Sequence, residues 1–288
     1  MYQLDPRNTF DVPREEREAF WEELYCKRGL VKWVGNFKDF YTNQEANDEF
    51  SAWMANKVRQ RVDDPAIAEK LVPKNHGFGL RRVPLENGYY ELFNRPDVKL
   101  VDLRETPIES ITTNGVNTAA ETIELDVLIY ATGFDALTGS YEEIEYYGEN
   151  GQTLKEAWKN GPRTYLGMAV PGFPNMFNVL GPHQATGNIP HVIEYAVRWL
   201  SRFMQYIQDR NITYVNPDTE GEAEWTEHVY KLTEGLLSVK VDSWMTGVNS
   251  NRAGKQQRRV IHYFESNLEF RRHCEEVAKG GYKHFIQA

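Results

Sequence analysis

Seven histidines and two cysteines are the first candidates for chemistry in this 288-residue chain. Their spacing argues against a shared metal ion. None of them sit at the short intervals that bring ligands together, and the adjacent His273 and Cys274 would point apart on a helix. No metal is therefore expected. Phosphate chemistry finds little more. Gly77-Phe78-Gly79 runs into Leu80-Arg81-Arg82 without a third glycine, and no buried strand precedes it. A P-loop, a G-x-S-x-G elbow and an H-E-x-x-H helix are all missing. Two features remain. Arg82 offers a permanent, planar charge with several donors, which suits an oxyanion. The stretch Gly181 to Asn188 is small and polar, and its Gly181-Pro182-His183 start leads toward a helix opened by Pro190. Free N–H groups at a helix start favour an electron-rich partner. On the residues alone, the arginine reads as a surface or ion-paired group. The loop reads as a plain strand-to-helix connection.

The elements that must position these groups follow from periodicity. Asp11 and Pro13 suit a helix start, Phe20, Leu24 and Tyr25 share its face, and Gly29 closes it. Thr42 with Glu45 makes a capping box for a second helix carrying Phe50, Trp53, Met54 and Val58. Asp64-Pro65 starts a short third helix, and the helical block ends near Lys74. The period then changes. Residues 89–93 and 98–103 read as strands, and residues 108–113 and 116 onward flank the turn dipeptide Asn114-Gly115. DVLIYAT, residues 126–132, reads as a strand buried on both faces, as does NMFNVLG, residues 175–181. After Pro190, residues Ile193, Val197, Leu200, Met204 and Ile207 fall on one helix face. Residues 212–215 suggest a short strand, 222–237 a helix around Trp225, and 270–278 a last helix. The pattern is that of an α/β protein.

Composition narrows the function classes. Lysine and arginine number 33 against 42 acidic residues, a net charge of −9, which repels nucleic-acid phosphates and anionic membranes. With 41% hydrophobic residues the chain has the means for a real core. No apolar run reaches the length of a membrane span, and the first ten residues lack a secretory pattern. Cys26 and Cys274 lie far apart in sequence, so a reduced, cytoplasmic setting is expected.

One segment carries more than composition does. LDVLIYATGFDALTGS, residues 125–140, resembles a strand-turn of the Baeyer–Villiger monooxygenases, within the flavin-dependent monooxygenases. Four other stretches are similar to that family in the same order. They are FWEELYCKRGLVKWVGNFKDFYTNQEAN (20–47), GLRRVPLENGYYELFNRPDVKLVD (79–102), GPRTYLGMAVPGFPNMFNVLGPHQATGNIPHVIEYAVRWL (161–200) and SWMTGVN (243–249). The resemblance covers nearly the whole chain and looks like the family's C-terminal half. It implies an α/β flavoprotein with part of each of two dinucleotide-binding domains, a layered sheet and a helical insertion at about 10–74. Residues 1–130 would be the end of the NADP-binding domain, and 131–288 the end of the FAD-binding domain with its tail.

The resemblance implies a reaction too. An NADPH- and FAD-dependent enzyme would insert one atom of O2 into a small ketone to give an ester or lactone. Oxygenation of a heteroatom is a neighbouring chemistry of the same family. Arg82 would be the catalytic arginine that stabilises the negatively charged flavin peroxide. Thr132, Gly133 and Phe134 would adjoin the cofactor at the return to the flavin domain. Gly181, Pro182, His183 and Asn188 would face the flavin edge, and Trp244 the nicotinamide. The family's N-terminal glycine-rich turns find no counterpart here. The alternatives are therefore a non-catalytic homologue that binds a full-length relative, or one half of a split enzyme whose partner supplies the N-terminal half. The chain also departs from the family after Asn249. It reads Ser250-Asn251-Arg252-Ala253-Gly254-Lys255 where a short Pro-Gly-Lys turn is usual.

Overall fold

The computed structural model describes residues 4–288, which divide after Gly133 into two compact units. The first is built on helices α1 (Arg14–Cys26), α2 (Val31–Val34), α3 (Gln44–Arg59) and α4 (Pro65–Leu71). Trp21, Leu24, Phe37, Phe40 and Phe50 form its buried core, with Trp53 packed against them. Trp21 keeps its ring buried because its Nε1–H finds the side-chain oxygen of Asn36 at 3.2 Å. Asp64 caps α4 as its sequence suggests, accepting from the N–H groups of Ala66 and Ile67. The cap of α3 differs from expectation. Asn43 accepts from the Ala46 N–H, while Thr42 bonds back to the Asp39 carbonyl. Asparagine caps as well as threonine, and here it stands one residue closer to the helix.

The expected hairpin forms one residue earlier, turning at Thr113-Asn114 with Gly115 already paired to Thr112, and β1 (Ile108–Thr112), β2 (Gly115–Thr118) and β3 (Thr122–Glu124) make one antiparallel sheet. Other expected strands do not form. Residues 91–94 make a single 3₁₀ turn, and 98–102 carry no regular structure before a turn at Leu103. Arg61 holds the start of that stretch by a fork to Glu86 and Glu91, at 2.8 and 2.5 Å. DVLIYAT is the larger departure. Val127 is 74% exposed and Ile129 81%, and no strand among the described residues pairs with either. An apolar run becomes a buried strand only when neighbours accept its backbone hydrogen bonds and cover its faces. This unit supplies neither.

The second unit contains α5 (Gly139–Glu142), α6 (Leu154–Ala157), α7 (Ile189–Asp209), α8 (Thr219–Lys231) and α9 (Asn267–Lys279). Its one small sheet joins β4 (Val215–Pro217) to β5 (Phe285–Gln287), antiparallel. The 21-residue α7 is the spine. Its buried face is Val192, Ala196, Trp199, Leu200 and Phe203, whereas Val197 and Met204 face outward. The stripe expected from the aliphatic residues is rotated because the two aromatics bury more area and take the inner position. Phe203 stacks on Tyr282 at 4.2 Å, and the Trp199 indole donates to the Cys274 carbonyl at 2.9 Å. Residues 175–181 form no strand. Their backbone bonds go singly, the Asn175 N–H to Val215 and the Asn178 N–H to Met168. No helix among the described residues is long and apolar enough to cross a membrane.

Phe203 is fully buried at the centre of this aromatic cluster. Replacing it by alanine leaves a cavity that rigid neighbours cannot fill. Phe203→Ala is expected to cost about 3–5 kcal/mol of unfolding free energy, read by urea denaturation. A loss under about 1 kcal/mol would mean the cluster is loosely packed.

Candidate functional site

In the second unit, two backbone segments cross with no room for a side chain. A Cβ on Gly181 would lie 2.5 Å from the Gly167 carbonyl oxygen, and one on Gly167 would lie 2.7 Å from the Gln184 nitrogen. Gly167 also needs its left-handed φ of 67°. The crossing fixes residues 181–185, all buried, in front of the N-terminus of α7. Leu180 and His183 pay for the path with left-handed φ values of 59° and 64°, unusual for residues bearing a Cβ. Asn188 then caps α7 by accepting from the His191 N–H at 3.3 Å, with the helix start exposed beside it.

The structure buries His183 completely. Its Nε2 lies 2.9 Å from the Val260 carbonyl, which can only accept, so the ring proton sits on Nε2. Nδ1 then accepts from the Thr164 hydroxyl at 3.3 Å. Burial pushes the His183 pKa down to about 4, against the hydrogen bond to Val260 and with help from the Arg163 charge. Both ring nitrogens are thus engaged within the chain, and the side chain locks the loop to the 260 region. The next residue differs. Neither amide atom of the buried Gln184 has a hydrogen-bond partner, and the Asn178 amide nitrogen is also without one. Unpaired buried amides of this kind cost roughly 1–3 kcal/mol each, which a polar ligand would relieve. Sequence reasoning passed over Gln184 because nothing in its local pattern marks it.

His262 joins Trp244 to this loop, and it too was missed. Its Nε2 is 3.3 Å from the Thr186 hydroxyl, and its ring meets Trp244 edge-to-face at 5.7 Å. Burial pushes its pKa down to about 4. Trp244 stays half-buried in a short 3₁₀ turn closed by Ser243 and Thr246. The departing loop at 250–255 folds back on its own unit. The Lys255 ammonium is buried, ion-paired with Glu142 and 3.5 Å from Asp135, and it donates to the Thr138 hydroxyl at 2.7 Å. It lines a cavity of about 230 Å³ together with Tyr141, Trp158 and Arg259.

The remaining expected residues are more open. In the first unit Arg82 is exposed, with its guanidinium 5.0 Å over the Trp33 ring and one N–H on the Val83 carbonyl at 2.5 Å. It has no carboxylate partner among the described residues. Thr132 and Gly133 are exposed, and a Cβ on Gly133 would meet nothing within 4 Å, so its φ of 84° alone calls for glycine. Phe134, the first residue of the second unit, is 96% exposed. The structure therefore gathers Gly181, Pro182, His183 and Trp244 around Gln184 and His262, and leaves Thr132, Gly133 and Phe134 in the open.

No established family profile matches the chain. Individual relatives do. It is 42% identical over 286 residues, 99% of its length, to a 2-oxo-Δ3-4,5,5-trimethylcyclopentenylacetyl-CoA monooxygenase of Pseudomonas putida, covering 52% of that protein. It is 38% identical over 254 residues to a cyclopentanone 1,2-monooxygenase of Comamonas sp. (strain NCIMB 9872), covering 46% of it. A crystal structure of OTEMO in complex with FAD and NADP superposes with a TM-score of 0.92 at 42% identity, over 100% of this chain and 53% of the other. The chain spans about half the length of the curated relatives it matches.

His183 and His262 make stability depend on pH with a definite sign. Both are held neutral when folded, with pKa values near 4, below the ordinary 6.5. Between those values the unfolded chain binds more protons than the folded one. Stability is full above pH 6.5 and falls as pH drops toward 4, each histidine contributing at most about 1.4 kcal/mol per pH unit. Urea melts at pH 4.5, 5.5 and 7 are expected to show a shallower fall for His183→Asn than for the wild type. An unchanged slope would contradict the buried neutral assignment.

Proposed function

The chain belongs to the Baeyer–Villiger flavin monooxygenases, matching their C-terminal half, and from that premise we propose that it supplies the flavin-edge loop and the arginine of a ketone-oxygenating enzyme. The reaction proposed is insertion of one atom of O2 into a small ketone, with NADPH as reductant and FAD as the oxygen-activating group. The observation that carries this reading is the match itself, 42% identity over 99% of the chain to a monooxygenase. The names of the relatives add ketones and the cofactor pair.

The residues of the second unit fit a flavin ring in part. Unpaired Gln184 and Asn178 amides, buried beside the Gly167–Gly181 crossing, suit a ligand whose edge alternates carbonyls and ring nitrogens. The exposed α7 N-terminus adds partial positive charge. Trp244 would face the nicotinamide. The dinucleotide phosphates need a glycine-rich turn, and the sequence contains no G-x-G-x-x-G. When bound, FAD supplies the oxygen chemistry. This chain's part is to orient, to exclude water and to place charge. Arg82, with no carboxylate partner among the described residues and its guanidinium resting on Trp33, keeps its charge available for an anion that forms during the reaction. We assign the first unit to the NADP-binding domain and its helical insertion, and the second to the FAD-binding domain. The cytoplasm is the proposed setting, in keeping with two free cysteines.

A second reading rests on the exposed run at Val127–Phe134. Here the chain associates with a full-length homologue without contributing to turnover. Co-expression with the N-terminal half of the Comamonas cyclopentanone monooxygenase separates the two readings. The first expects NADPH-dependent lactone formation from cyclopentanone. Arg82→Ala should then lower kcat by roughly 10²–10³-fold while flavin content is kept. A soluble, flavin-loaded complex that makes no lactone would sink the catalytic reading. An Arg82→Ala complex at full rate would remove the arginine's role.

A further inference from the structure

His228, Glu265 and His273 come from three separate stretches and meet in the second unit. His228 lies in the last turn of α8, Glu265 in the segment before α9, and His273 in the middle of α9. One ligand atom from each lies within 4.8 Å of the other two, and all three residues are half-buried. We propose that they form a binding site for a transition-metal dication of the Zn2+ class, with two imidazoles and one carboxylate as ligands and a fourth position open to water.

Several observations point the same way. The His228 Nε2 is buried and has no hydrogen-bond partner, although the Glu265 carboxylate is only 3.6 Å away. That gap is too long for a hydrogen bond and suits two ligands of one ion. The His228 and His273 rings lie 4.7 Å apart at 57°, so they do not stack. The Tyr263 hydroxyl donates to the Glu265 Oε2 at 2.8 Å, the kind of outer contact that orients a ligating carboxylate. Trp225 forms an apolar wall, 5.3 Å from the His228 ring and 5.7 Å from the His273 ring. Burial, with the neighbouring His273, lowers the His228 pKa. Arg272 and Lys231 act on the same ring, and their charge opposes a cation. The carboxylate and the two imidazoles must outweigh that repulsion.

Zinc bonds of about 2.0–2.2 Å in tetrahedral geometry set ligand atoms roughly 3.4 Å apart. Closing from 4.8 Å or less takes side-chain rotation of about an ångström, without movement of either helix. Histidine and carboxylate donors with an open position match zinc better than calcium or magnesium. The bound ion would tie α8 to α9 across the core that holds Trp225, Val229 and Phe270. The sequence spacing hides the site, because Glu265 follows His228 by 37 positions.

The test is a Zn2+ titration of the purified full chain, stripped with chelator, against a chromophoric competitor. One equivalent with micromolar or tighter Kd is expected, with a rise in Tm. Co2+ in place of Zn2+ should give the visible bands of a tetrahedral nitrogen–oxygen site. Glu265→Gln, nearly isosteric, and His273→Asn should each weaken binding at least tenfold with the far-UV spectrum unchanged. His76→Gln, outside the cluster, should bind as the wild type does. No saturable binding by the wild type would overturn the site. So would Glu265→Gln and His273→Asn that bind as tightly as the wild type.

Discussion

A β-strand is stable only when its backbone groups are handed to neighbours, and this requirement shapes the whole chain. Residues 127–130 are apolar enough for the centre of a sheet, yet they stand exposed. Both units instead draw their cores from helices and aromatic clusters, Trp21 and Phe50 in one, Trp199 and Phe203 in the other. The sheets that do form are small, of three strands and of two, each with antiparallel pairing. The proposed association with another polypeptide follows from that imbalance. A run so apolar and so open gains from pairing.

The second unit solves its own problem differently. Two glycines let the backbone at 167 and 181 touch, and that contact holds a buried loop against the start of α7. His183 bolts the loop to Val260, and His262 links it to Trp244. The cost is local. Leu180 and His183 sit in left-handed backbone, and the Gln184 amide is left unpaired. Strain and an orphaned amide thus fall in one loop, the one proposed above to face a ligand. The Lys255 loop shows the opposite behaviour, since its charge is satisfied internally by Glu142 and Asp135.

Much of this was legible in the residues, and the failures have physical causes. Asp64-Pro65 and Asn114-Gly115 are local signals, decided within four residues; the cap appears as expected, and the hairpin turns one residue earlier, at Thr113-Asn114. The helix after Pro190 was readable, but its inner face was not, because aliphatic periodicity undervalued Trp199 and Phe203. Strands at 126–132 and 175–181 depend on neighbours that local pattern cannot supply, and neither forms here. For the site, motif order brought Gly181, His183 and Trp244 to notice. Gln184 and His262 became visible only through burial and unmet hydrogen bonds, which no spacing encodes. The His228, Glu265 and His273 cluster escaped for the same reason.

Hydrogen–deuterium exchange of the backbone at residues 127–132 tests most directly whether this run is a sheet strand without neighbours. The chain would be measured alone and with a polypeptide carrying the N-terminal half of a relative. Alone, these amides are predicted to exchange nearly as fast as an unfolded chain. With the complementary half they should slow by roughly a hundredfold or more, as amides do on joining a sheet. Unchanged exchange in a complex that demonstrably forms would contradict the strand assignment, and with it the docking role of the exposed run.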